Sequence, residues 1–151
     1  MHPYEAAFRT ARSAVGAEEL LASADEYDSI AAAVTDCTLV VGTTAIQRRE
    51  ARHPLYTLQQ GASKILQEAG DVAILFGSEK RGLSNEDLSH CHWLMHIPTG
   101  EQQPSINLGQ AVAICLYELT RNIGLTINAP DQVRPKKSVL LRCAGASDRY
   151  S

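Results

Sequence analysis

The sequence has no Cys-x-x-Cys pair and no zinc-finger spacing; its four cysteines, Cys37, Cys91, Cys115 and Cys143, are scattered. It has no apolar signal-peptide core at its N-terminus and no apolar run approaching the length that crosses a bilayer. These absences point to a reducing, cytoplasmic setting with no membrane partner. Both glycine fingerprints for nucleotides are missing as well. GxGxxG does not occur, and the phosphate-loop reading of residues 77–82 fails because Leu83 stands where a Lys is needed. Positive charge is not in excess either. A net charge of −3 excludes a nucleic-acid binder defined by bulk composition, but a local basic patch can act inside an acidic whole.

The 151 residues make one domain with enough chain for a real core, and 44% hydrophobic with 21% charged residues are globular values. Residues 4–15 have helical composition, with Gly16 as a stop, and the Ala-rich, acidic region 18–35 predicts a second helix ending near Val34. "CTLVVGTT" (37–44) predicts a short buried strand that breaks at Gly42. In "PLYTLQQGASKILQEA" (54–69) Pro54 suits a first helical turn, and Leu55, Leu58, Ala62, Ile65 and Leu66 recur at helical spacing. "VAILFG" (72–77) is a buried strand. Ser84 and Asp87 form a capping box that starts a short helix. "HWLMHIP" alternates, with Trp93, Met95 and Ile97 on one face and His92, Leu94 and His96 on the other, and Pro98 ends it. A long helix runs from about Ser105 to Asn122 with Gly124 as its stop. Beyond it "INAPDQVRPKK" is linker-like, and "SVLLRCAGASDRYS" has too little pattern to assign. Strands alternating with helices predict an α/β fold with a mainly parallel sheet and flanking helices.

In such sheets ligands bind outside the carboxyl ends of the strands, and here all three ends carry loop chemistry. They are Gly42-Thr43-Thr44, Gly77-Ser78-Glu79, and Ile97-Pro98 before "TGEQQP". Taken alone, G-x-E-x-x-G-L (77–83) is equally an ordinary tight turn. His90, Cys91, His92 and His96 supply metal-ligand types without a zinc-site arrangement, and strand alternation sends neighbours to opposite faces, so no metal is expected. Cys91 and Cys115 read as small buried apolar residues. The basic run 47–53, with Arg48, Arg49 and Arg52, is either a solvated face or an RNA phosphate contact. Ala111 to Leu116 is an unbroken apolar run that covers all sides of a helix, so both faces should be buried, one in the core and the other in the core or on a second subunit.

Together these stretches resemble the SPOUT class of methyltransferases, in particular the RNA ribose 2′-O-methyltransferases that modify tRNA and rRNA. "VVGTTA" (40–45) resembles the strand end that borders the cofactor. "ILFGSEKRGLSNEDLSHC" (74–91) resembles the signature F-G-x-E-x-x-G-L, and "IPTGEQQPSINLGQAVAICLYE" (97–118) resembles the closing motif. The likeness runs from about residue 3 to 122 with order and spacing intact. It implies an α/β fold with a C-terminal trefoil knot, S-adenosylmethionine as cofactor, a homodimer packed partly through the last helix, and RNA, with tRNA favoured, as substrate. Carried over by position, Thr43, Thr44, Ala45, Gly77, Ile97, Pro104, Ser105 and Ile106 would hold the cofactor. Glu79, Ser105 and Asn107 would stand at the reacting groups. On this reading Gly77 lets the chain approach the adenosyl group, and Gly82 makes the turn.

Two departures qualify the resemblance. Family members begin with a strand–helix unit carrying P-x-N-x-G and an Arg proposed to help deprotonate the ribose hydroxyl. This sequence starts at what corresponds to the second helix, and Arg9 and Arg12 do not sit in that motif. Residues 1–124 are accordingly expected to form a shortened SPOUT domain, and 125–151 a linker-like tail. The expectation is slow methylation or none, the alternative being a silent cofactor- or RNA-binding module. The position after "GTTA", often Arg, is Ile46; Arg48 and Arg49 are near enough to substitute in RNA contact.

Overall fold

The computed structural model describes residues 22–45, 53–100, 106–121 and 139–143. Among the described residues five strands form one sheet: β1 Leu39–Thr43, β2 Leu55–Thr57, β3 Val72–Phe76, β4 Trp93–His96 and β5 Val139–Cys143, in the order β2-β4-β1-β3-β5. Every pairing among them is parallel, as Val41 opposite both Ile74 and Trp93 illustrates. The sheet is buried on both sides, as parallel sheets are, so its central strands are apolar almost throughout. All five residues of β3 are buried.

Alternation sorts the side chains into two layers. Val41, Ile74, Phe76, Trp93 and Met95 face one way. They pack against Leu58, Ala62 and Ile65 of α2 (Leu58–Gln67) and Cys115 and Leu119 of α4 (Leu108–Arg121). Val40, Ala73, Leu75 and Leu94 face the other way, onto Leu83, Cys91 and Leu88 of α3 (Asn85–Ser89). Ile30 of the short helix α1 (Ile30–Ala33) closes that layer. Each fully buried Leu, Ile or Phe contributes roughly 1.5–3 kcal/mol. The face assignment of Trp93, Met95 and Ile97 against Leu94 holds. The α3 capping box also forms: Ser84 N–H donates to Asp87 Oδ2 at 2.7 Å, and Asp87 N–H to Ser84 Oγ at 3.1 Å.

Four elements differ from the sequence expectation. β1 does not break at Gly42 but runs to Thr43; a Cβ at 42 would lie 2.8 Å from Cys91 Sγ, so the glycine makes room for the layer beneath. The helix expected over 54–69 begins only at Leu58, because Thr57 and Gln60 form a capping box there and 55–57 pair with β4. Within 18–35 only Ile30–Ala33 is described as a full helix, started by Ser29, whose Oγ accepts from Ala32 N–H. Residues 139–143, inside the segment read as linker-like, form the edge strand β5 on β3. The expected helix at 4–15 and the helix stop at Gly124 lie outside the described residues.

Of the all-round apolar run in α4, one face is covered. Cys115 and Leu119 are buried, whereas Ile114 is 40% and Tyr117 67% exposed. No helix among the described residues is long and apolar enough to cross a membrane.

Burial pushes the Cys91 thiol up to about 12 from 9.0, with Asp87 adding to the rise, and burial alone pushes Cys115 up to about 11. Below about pH 9 the Cys91 thiol is neutral folded or unfolded; between about pH 9 and 12 only the unfolded chain loses that proton, so stability falls as pH rises. The urea-unfolding free energy of the wild type is therefore expected to decline more steeply over that window than that of Cys91→Ala. Parallel declines would show that the thiol is not shielded in solution.

Candidate active site

The carboxyl ends of β1, β3 and β4 are tied together where they leave the sheet. Thr43 Oγ1 donates to the Leu75 carbonyl at 2.9 Å, and Thr44 N–H donates to the Met95 carbonyl at 3.0 Å. Beyond them opens a cavity of about 350 Å³. Thr43, Thr44 and Ala45 form one wall and the 77–83 loop another. Phe76, Leu88 and Met95 supply apolar surface, and Ile97, Ile106 and Leu108 add to the lining.

The 77–83 loop closes on itself. Gly82 N–H donates to the Ser78 carbonyl at 2.8 Å and Arg81 N–H to Ser78 Oγ at 3.2 Å, so residues 78–82 form a tight turn. Gly82 takes φ +67°, a backbone conformation that suits glycine, which accords with its expected role as the turn residue. Gly77 also answers to a constraint within its own loop, beside the cofactor approach expected of it. A Cβ there would stand 2.0 Å from Gly82 C and 2.2 Å from Leu83 N. The space beside Gly77 is filled by the returning backbone of its own loop, so glycine is needed for the loop to close.

Glu79, on this turn, meets the start of α4. Asn107 Nδ2 donates to Glu79 Oε1 at 2.8 Å, and Asn107 Oδ1 accepts from Gly109 N–H at 2.8 Å and Gln110 N–H at 3.4 Å. The two backbone donors require the amide oxygen on the helix side, which fixes the NH₂ toward the carboxylate. Asn107 thus caps the helix, an interaction worth about 1 kcal/mol, and orients Glu79 with the same group. Glu79 Oε2 has no hydrogen bond among the described residues.

Of the sequence candidates, Thr43, Thr44, Ala45, Gly77, Glu79, Ile97 and Ile106 line one cavity, and Asn107 joins it through Glu79. Pro104, Ser105, Arg48, Arg49 and Arg52 lie outside the described residues. Sequence reasoning missed Lys80, Arg81 and Thr99 on the rim and Ala111 one turn into α4. Lys80 and Arg81 stood inside the signature, where two adjacent cations after a strand end were the available signal. Near the His/Cys run, His92 extends the ladder between β4 and β1, its side-chain Nδ1 accepting from Val40 N–H at 3.0 Å and its backbone N–H donating to the Val40 carbonyl at 2.8 Å. Cys91 is buried, its thiol donating to the Asp87 carbonyl at 3.7 Å. Among the described residues no three His, Cys, Asp or Glu are grouped to hold a metal.

The model of the SpoU rRNA methylase family matches residues 2–117. This chain belongs to that family. Similar members include the tRNA (cytidine-2′-O-)-methyltransferase TrmJ of Methanocaldococcus jannaschii, 38% identical over 85% of this chain and 59% of the relative. The tRNA (cytidine/uridine-2′-O-)-methyltransferase TrmJ of Sodalis glossinidius is 38% identical over 69% of this chain and 41% of its own length. The fold is similar to that of TrmJ from Z. mobilis (TM-score 0.68, 34% identity), covering 73% of this chain and 49% of that one. The chain spans about half the length of these relatives.

The two loop glycines should respond differently to Ala. Gly82→Ala meets open space and carries only left-handed strain, roughly 1–2 kcal/mol. Gly77→Ala drives a Cβ into backbone and must open the loop, so its urea-unfolding midpoint should fall further and its ligand affinity be lost. Equal midpoints would refute the self-closure argument.

Proposed function

We propose that the chain forms the S-adenosylmethionine site of an RNA ribose 2′-O-methyltransferase acting on tRNA. The observation that carries this reading is the Glu79–Asn107 pair, held at 2.8 Å beside a cavity at the ends of three parallel strands. Family membership and the tRNA methyltransferase names of the relatives support it.

The residues present suit the cofactor. About 350 Å³ lies within the usual range of small-molecule pockets, roughly 300–1,000 Å³. Phe76, Leu88 and Met95 offer apolar surface to a flat base, while the chain at Thr43–Ala45, Ile97 and Ile106 offers backbone groups. Pro104 and Ser105 belong to the same proposed wall. When bound, S-adenosylmethionine supplies a methyl group carried on a positively charged sulfur. The chain's own contribution is orientation and proton handling. Asn107 holds Glu79 in one direction, and Oε2, which has no hydrogen bond among the described residues, is an acceptor for the proton that a ribose hydroxyl gives up. Ser105 stands in the same assignment as a hydrogen-bonding group, and Arg48, Arg49 and Arg52 as RNA contacts. A cytoplasmic setting is part of the proposal. The C-terminal trefoil knot belongs to the same reading.

A homodimer is the second part of the proposal. Ile114, Leu116 and Tyr117 leave an apolar stripe of α4 open to solvent, and a second copy of the same helix would cover it. Burial of that stripe contributes at about 25 cal/mol per Å².

Titration calorimetry should detect binding of S-adenosylmethionine or its demethylated product; no heat from either ligand at millimolar concentration would refute the cofactor assignment. Glu79→Gln should retain that affinity and lower transfer of labelled methyl to unmodified tRNA by about 100-fold or more. Unchanged transfer would remove Glu79 from proton handling. Ile114→Glu should turn a sedimenting dimer into monomer, and a stable wild-type monomer at micromolar concentration would overturn the dimer.

A further inference from the structure

We infer that Lys80 and Arg81, at the tip of the 78–82 turn, form a phosphate clamp that grips the RNA backbone next to the nucleotide presented to the cavity. This rests on the RNA-methylation reading and adds to it two contact residues that the resemblance does not assign.

The turn separates its three side chains by task. Glu79 is drawn to Asn107 by a 2.8 Å hydrogen bond. Lys80 and Arg81 are exposed and line the cavity rim. Among the described residues neither forms an ion pair; the one formed there is Arg121 with Glu118, on α4. The carboxylate of Asp87, on the helix that follows, is engaged by Ser84 N–H at 2.7 Å. Two cations with no ion-pair partner among the described residues thus stand on a hydrogen-bonded turn at the mouth of the site, in a chain whose net charge is −3. Such a chain has no general attraction for a polyanion, so contact with RNA must come from local positive charge. The turn's rigidity comes from backbone and Ser78, not from the two cations. Their ends can therefore be changed without opening the loop. Contacts of this kind position the backbone and carry no base information.

The test is the salt dependence of binding to an unmodified tRNA transcript, read as the slope of log K against log salt. Each phosphate contact on single-stranded RNA contributes about 0.7 to that slope. The double variant Lys80→Gln/Arg81→Gln removes both charges, leaves polar side chains on the turn, and should flatten the slope by about 0.7 to 1.4 with the urea-unfolding midpoint unchanged. The loss should be the same for tRNAs of different sequence. Lys64→Gln is the control: Lys64 sits 4.7 Å over the Tyr56 ring on β2, which β4 and β1 separate from β3, and it should leave the slope as in the wild type. A double variant with the wild-type slope, or a control that flattens it equally, overturns the clamp and leaves the methyltransferase reading standing. Wild-type protein that binds S-adenosylmethionine but no tRNA overturns both the clamp and the RNA substrate.

Discussion

Everything at the candidate site depends on β1 lying between β3 and β4 with all three strands parallel. Parallel pairing sends three chain exits to the same edge, although residues 43, 77 and 97 are far apart in sequence. The two hydrogen bonds from Thr43 and Thr44 then lock the exits against their neighbours. A cavity there is the geometric result of three loops diverging from one line. An antiparallel neighbour would have sent one of those loops to the opposite edge.

The second dependence runs through Asn107. Its oxygen serves the first backbone N–H groups of α4, and its NH₂ serves Glu79. One short amide therefore couples the position of a helix carrying Cys115 and Leu119 into the core to the direction of a carboxylate at the cavity mouth. The loop bearing Glu79 is fixed from the other side by Leu83, which is 3% exposed in the opposite layer. The carboxylate is thus referenced to both layers of the fold.

The sequence made β3 and β4 legible because burial and alternation are strong local signals, and Ser84–Asp87 because a capping box is a four-residue pattern. It misled at Leu55–Thr57, where Leu55 continues a helical spacing; pairing with β4 and the Thr57–Gln60 cap outweighed that periodicity. β5 carried no signal because its stabilising partner is β3, far earlier in the chain. Of the site, the loops at the three strand ends were legible as loops, and the signature gave them meaning. The Asn107–Glu79 contact spans two motifs and could not be inferred from spacing within either. The reason for Gly77 was also hidden, since self-contact of a loop is a property of shape.

The edge position of β5 bears on how the molecule is made. Synthesis delivers β3, apolar at every position, long before residue 139 exists, so one side of β3 has unpaired backbone groups through the translation of α3, β4 and α4. An open edge of that kind is a template for pairing with a neighbouring nascent chain, and a contact so distant in sequence forms slowly. Until β5 is made and docks, that edge of β3 has no strand to close it.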